Sequence, residues 1–236
     1  MVYFCHLAMR GAIMKKKTLW NRLASLIFVI ALFLFILTSS IGLPIYVRGF
    51  YYAHISGFQL PKQSGYTYEE IKQAYDEVLD YLTIPGKKFS TGVMPFSEEG
   101  AAHFADCKVL FDLNATVLIL SSIALLVLFF LRRKVGPYRL FRKPAAVWSA
   151  VGVIVIPVVV GALAAMDFDR AFVVFHHIFF PGNENWMFNP YTDAIIRVLP
   201  QDFFMHCAIL IGVGVVLQAL IILVCYFATK PFRREY

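Results

Sequence analysis

The sequence predicts an all-α integral membrane protein with four transmembrane helices and a small extracytoplasmic cap. Three observations predict it. Of 236 residues, 59% are hydrophobic and only 16% charged, a balance outside that of soluble domains. Four apolar runs, Leu23 to Val47, Leu113 to Leu131, Ala146 to Met166 and Met205 to Ala228, reach the roughly 20 residues of helix that a hydrocarbon core requires. Basic residues cluster before the first run (Arg10, Lys15, Lys16, Lys17, Arg22), between the second and third (Arg132, Arg133, Lys134, Arg139, Arg142, Lys143) and after the fourth (Lys230, Arg233, Arg234).

That distribution sets an orientation. The three clusters hold 14 of the 22 Lys and Arg residues with a single acid, Glu235, whereas the other side has 8 basic and 14 acidic residues. Positively charged loops stay in the cytoplasm, so both termini are expected inside and two segments outside. The basic pI of 9.2 then reports topology and contact with membrane lipid, not a nucleic-acid partner.

The expected organisation is a basic N-terminus and first helix (1–47), an extracytoplasmic cap (48–112), the second helix (113–131) and a basic cytoplasmic loop (132–145). The third helix (146–166), a second outside segment (167–204), the fourth helix (205–228) and a cytoplasmic C-terminus (229–236) follow. Met1 to Met14 precede a second start-like stretch, MKKKTLW, and are assigned no function. The long first run lacks an A-x-A site after it and reads as an uncleaved anchor.

Within the cap, Ile71, Tyr75, Val78, Leu79 and Leu82 recur at helical spacing, and Thr67 with Glu70 forms a capping-box signal. Gly86, Gly92 and Pro95 punctuate a loop or short strand pair over 87–96. Ser97 caps a further helix, with Glu98 and Glu99 in its first turn, that continues unbroken into the second span. His103, Asp106 and Cys107 share a face of it by their i, i+3, i+4 spacing. His103 lies about 15 Å before Leu113 along the helix axis at 1.5 Å per residue. In the third span Gly152, Pro157 and Gly161 suit close contact and a kink.

The second outside segment carries the stretch AFVVFHHIFFPGNENWMFNP, from Ala171 to Pro190. Its aromatic rings suit the membrane interface, which would bring His176 and His177 to the level of lipid headgroups. Imidazole both takes and gives a proton near neutral pH, so a base at the ester level of a bilayer points to chemistry on a lipid. Asp202 and His206 stand i, i+4 at the mouth of the fourth span, where they can pair. Unpaired thiols are expected at Cys107 and Cys207, a disulfide between them being the alternative.

Three chemistries compete for His103, Asp106, His176, His177, Asp202 and His206. Two histidines can serve as acid and base on an ester, and the absence of a GxSxG elbow suggests that the substrate brings its own nucleophile. The same side chains can bind a metal, although HExxH and CxxC are absent and no metal or other cofactor is expected. Or they are ordinary interfacial histidines within an aromatic belt, in a receptor or assembly protein whose cap binds a partner.

The order of FHxIFF at Phe175 to Phe180, Trp186, Asn189-Pro190, Asp193 and LPxxFF at Leu199 to Phe204, with ExxxxHxxD at Glu98 to Asp106, resembles the bacterial lipoprotein intramolecular transacylases. The likeness runs from Met14 over nearly the whole chain. It implies a monomeric acyltransferase of the bacterial cell membrane, with its site on the extracytoplasmic face. The substrate would be a diacylglyceryl-modified lipoprotein, whose sn-2 acyl chain moves to the α-amine of its own N-terminal cysteine.

The resemblance also places the two catalytic histidines on His103 and His176, with His177 a neighbour. Asp106 is the expected orienting partner of His103. Tyr46, Phe175, Phe179, Phe180 and Trp186 are expected to form the substrate pocket, together with Asp193 and Arg197. Either histidine could be the base; His176 is the first choice.

Overall fold

The computed structural model describes residues 2–229, and the basic residues after Thr229 lie outside them. In chain order the elements are helices α1 (Val2–Tyr46), α2 (Gly49–Gly57), α3 (Leu60–Ser64), α4 (Tyr68–Thr83) and α5 (Glu98–Val135), then the paired strands β1 (Arg139–Leu140) and β2 (Lys143–Pro144). Helices α6 (Ala145–Met166) and α7 (Phe168–Phe179), a 3-10 turn at Ala194–Arg197 and helix α8 (Gln201–Ala228) complete it. Four helical stretches are long and apolar enough to cross a membrane: Leu19–Tyr46, Glu98–Val135, Ala145–Ala164 and Gln201–Ala228. The protein is therefore an all-α, multi-pass membrane protein.

Local chemistry accounts for the boundaries. At α4 the Thr67 hydroxyl accepts from the Glu70 N–H at 3.3 Å, and the Glu70 carboxylate accepts from the Thr67 N–H at 2.8 Å. Two otherwise unpaired donors of the first turn are satisfied together. The face bearing Ile71, Ala74, Tyr75, Val78, Leu79 and Leu82 is buried, as its period predicts. Helix α5 starts just after Ser97, whose hydroxyl accepts from the Gly100 N–H at 3.0 Å, and runs on for 38 residues.

Two elements become definite. The connection after α4, expected as a loop or a short strand pair over 87–96, is a loop; the only strand pair among the described residues lies in the basic connection between α5 and α6. The first half of the aromatic stretch from Ala171 to Pro190 belongs to helix α7, capped where the Asp167 carboxylate accepts from the Arg170 N–H at 2.9 Å.

The chain folds as two compact units. The first comprises the described parts of Met1–Thr38, Val117–Pro157 and Val215–Tyr236. Ile36, Ala150, Val153, Val215 and Ala219 form one buried cluster in it, and Leu128, Tyr138 and Ala145 another. The second comprises Ser39–Thr116 and Val158–Gly214. Its core joins α2, α4, the start of α5, the 3-10 turn and the start of α8 through Tyr51, Ile55, Tyr75, Phe104, Ile195, Val198 and Phe203. Fully buried Tyr51 stacks on Tyr75 at 3.8 Å, and its hydroxyl donates to the Val198 carbonyl at 2.7 Å. Every residue of the candidate site belongs to this second unit.

Candidate active site

The site begins with what fixes the first turn of α5. Asp193, 3% exposed, accepts from the Ser97 N–H at 2.8 Å and from the Thr192 hydroxyl at 2.7 Å, and the Ser97 hydroxyl lies within 3.0 Å of both its oxygens. A carboxylate here satisfies helix N-terminal donors and faces the positive end of the dipole. Gly100 makes room for it, since a Cβ there would lie 2.1 Å from Asp193 Oδ1. One turn later α5 presents His103.

Helix α7 supplies the second histidine. His103 and His176 are both buried, with ring centroids 5.9 Å apart and planes inclined by 30°. Phe180 packs against both, at 5.0 and 5.8 Å. Trp186 stacks on His176 at 4.5 Å, and Phe188 meets His103 edge-on at 5.4 Å. The surroundings are apolar and aromatic, and burial pushes both imidazoles below the ordinary value of 6.5. Both are neutral at pH 7.

Hydrogen bonds set the tautomers. His176 Nδ1 lies 2.7 Å from the Phe172 carbonyl, an acceptor, so Nδ1 carries the proton and Nε2 keeps its lone pair. Nε2 has no hydrogen-bond partner among the described residues. His103 Nδ1 lies 3.2 Å from Asn185 Oδ1, and the Asn185 amide in turn donates to Asp106 Oδ2 at 3.2 Å. Asn183 donates to the same oxygen at 2.7 Å. Asp106 thus reaches His103 by hydrogen bonds through Asn185, and no direct hydrogen bond joins the two among the described residues. His103 Nε2 lies 3.4 Å from Cys107 Sγ. Burial, then the charge of Asp106, pushes that thiol up to about 12, so it stays protonated and donates to the ring.

The other expected residues divide. Phe180 and Trp186 line the histidines. Phe175 touches His176 edge-on at 5.4 Å and packs on Phe179 at 4.6 Å, both rings being half-exposed. A cavity of about 280 Å³ beside them is lined by the polar Asp106 and Asn183 and by the apolar Val109, Leu110, Phe179, Phe180 and Pro181.

Tyr46 stands apart, 53% exposed with its ring over Gly42 of its own helix. Asp193 is consumed by the α5 cap. Arg197 is exposed, its Nε donating to the Pro190 carbonyl at 2.9 Å and its guanidinium lying over Tyr191. Exposed His177 meets the edge of Trp186, at 6.1 Å. The expected Asp202–His206 pair gives way to a 2.8 Å contact between His206 Nδ1 and His54 Nε2. Cys107 and Cys207 are free thiols.

Asn183 and Asn185 are functional candidates that sequence reasoning passed over. PGNEN reads as a turn, and a turn it is: Asn183 Oδ1 accepts from the Asn185 N–H at 3.3 Å. The Trp186 Nε1–H is also notable, being buried with no hydrogen-bond partner among the described residues. No group of three or more His, Cys, Asp or Glu side chains suited to a metal ion occurs among the described residues.

Comparison with known proteins agrees with this architecture. The family model described as lipoprotein intramolecular transacylase Lit matches residues 26–204. Among solved structures, the membrane integral lipoprotein intramolecular transacylase Lit from Bacillus cereus is 24% identical with a TM-score of 0.80, covering 89% of this chain and 95% of that one. A variant of the same protein with one histidine replaced by alanine gives 23% identity and a TM-score of 0.74, covering 94% and 96%. No curated protein sequence matches.

Proposed function

The chain belongs to the lipoprotein intramolecular transacylase family, and from that premise we propose that it moves the sn-2 acyl chain of a diacylglyceryl lipoprotein to the α-amine of the N-terminal cysteine. The product is an N-acyl, S-monoacylglyceryl lipoprotein. One observation carries the reading: two buried, neutral histidines pack in one aromatic cluster around Phe180, each with Nδ1 engaged and Nε2 as its basic atom, open at His176 and accepting from the Cys107 thiol at His103. In this reading the chain works as a monomer, its termini are cytoplasmic and the histidines face the outer leaflet.

The proton balance of the reaction suits two bases. An ammonium and an ester become an amide, a hydroxyl and one free proton, so two protons must leave the nitrogen. His176, whose Nε2 is open, takes the first, and the freed amine attacks the sn-2 carbonyl carbon. The Trp186 face stabilises the imidazolium that results. His103 takes the second proton from the tetrahedral adduct and delivers it to the glyceryl oxygen as the C–O bond breaks. Asp106, acting through Asn185, stabilises the transient positive charge on His103. The oxyanion needs a donor, and the unpartnered Trp186 N–H is the one at hand. A half-apolar pocket that holds amine and ester together supplies the orientation on which such ring closures depend.

The test is mass spectrometry of the N-terminal peptide of a tagged lipoprotein, from cells with and without this protein. A diacylglyceryl peptide should become an isomer of equal mass whose fragments carry the acyl group on nitrogen. His103→Ala and His176→Ala should each lower transfer about 10²- to 10⁴-fold while leaving membrane insertion intact. Trp186→Phe keeps a ring on His176 but loses the donor, and should cost about 10²-fold. Normal transfer by the double-histidine variant would end this reading.

A further inference from the structure

We propose that the connection between α5 and α6 is a preformed docking surface for the headgroups of anionic phospholipids. Residues 113–166 contain six basic side chains, Arg132, Arg133, Lys134, Arg139, Arg142 and Lys143, and no acid. All six are exposed, and none forms an ion pair among the described residues. Among the described residues no carboxylate pairs with them, so they stand as a net positive surface. A surface of that sign at the ends of membrane-spanning helices matches an anionic bilayer.

The connection is built, not slack. Tyr138 is buried, stacks on Phe28 at 5.3 Å and donates to the Leu128 carbonyl at 2.7 Å. The Asn21 amide donates to the Val135 carbonyl at 3.0 Å, and Ser25 Oγ accepts from the Arg139 N–H at 3.0 Å. The strand pair that follows turns through Phe141 and Arg142, both left-handed, with φ of 46° and 66°. Two-residue hairpin turns with both residues at positive φ favour Asn-Gly, because other side chains are strained there.

What the strain holds in place is a phenyl ring 84% exposed, with a guanidinium beside it. Behind the hairpin, Trp148 donates to the Leu140 carbonyl at 2.9 Å and meets the Phe141 ring edge-on at 5.7 Å. Aromatic rings among fixed cations form an interfacial anchor for the lipid surface, and little ordering remains to oppose binding.

The test uses the full chain purified in detergent, with phosphatidylglycerol and phosphatidylcholine as probes. Lipid retained is read by native mass spectrometry, alongside the thermal midpoint. Phosphatidylglycerol should be retained at least tenfold over phosphatidylcholine. The double variant Phe141→Asn, Arg142→Gly relaxes the turn while removing both side chains. It should keep or raise the midpoint in detergent yet lose at least fivefold of the preference, in line with roughly fivefold per basic residue near an anionic surface. If that variant folds poorly, Arg139→Gln with Lys143→Gln, which alters only exposed side chains, gives the decision by the same readout. Equal retention of the two lipids, or full preference in a variant lacking these side chains, overturns the proposal.

Discussion

At the scale of single residues, Asn185 is the side chain on which the proposed chemistry most depends without touching substrate. Its amide joins the Asp106 carboxylate to the His103 ring, fixing the tautomer and raising the basicity of Nε2 against the pull of burial. Asn185→Ala should lower transfer about 10- to 100-fold, as loss of an outer partner does for buried imidazole ligands. It should also move the His103 titration, followed by histidine-selective NMR, to lower pH, because a contribution that raises the pKa is gone. A merely structural Asn185 would leave that midpoint in place. With both imidazoles held below 6.5, transfer should be flat through neutrality and fall only on the acid side of that value.

At the scale of elements, the positioning of His103 depends on the start of α5, and that start depends on one glycine. Gly100→Ala brings a methyl group to 2.1 Å from Asp193 Oδ1 and 3.3 Å from the Phe188 ring, and that carboxylate is buried and already bonded to Ser97 and Thr192. The helix must then shift. We expect Gly100→Ala to lose transfer and to lower the thermal midpoint more than Asp193→Asn, which keeps the shape and part of the hydrogen bonding. A midpoint unchanged by Gly100→Ala would show that the clasp does not hold the helix.

The same elements show what the sequence makes legible. Helix α4 is readable because cap and apolar period are both local, and α5 because Ser97 opens a run with no breaker. Helix α7 hides because nearly every position is apolar or aromatic, so the cap at Asp167 is its one local signal. The hairpin at Arg139–Pro144 hides because Phe-Arg replaces the expected turn residues. The two histidines stand out by residue type and family order, but the turn asparagines do not. That Asn185 meets His103 depends on a contact spanning 82 residues, which no local pattern encodes.

At the scale of the whole molecule, the second unit is closed by contacts distant in sequence, and its ionisable groups make its stability depend on pH in two steps. His103 and His176 have folded pKa values lowered by burial, so the unfolded chain takes up protons that the folded one refuses. Stability should therefore fall as pH drops below the unfolded value of 6.5, and this loss is complete once pH passes the folded values. Asp76 behaves otherwise. Burial pushes it up, but hydrogen bonds from Tyr52, Lys72 and Arg48 prevail and hold it below its ordinary 3.8. Its contribution is present above 3.8 and is lost as pH falls through the folded value. Unfolding of the detergent-solubilised chain, followed by tryptophan fluorescence from pH 8 to 3, should show both declines. The double variant His103→Gln, His176→Gln should abolish the first and keep the second, whereas Asp76→Asn should keep the first and shrink the second, which Glu70 and Glu77, also held low by hydrogen bonds, share. A first decline that survives in the histidine variant would mean that groups other than these two imidazoles control folding near neutrality, and with it the neutral tautomers on which the proton balance rests would lose their support.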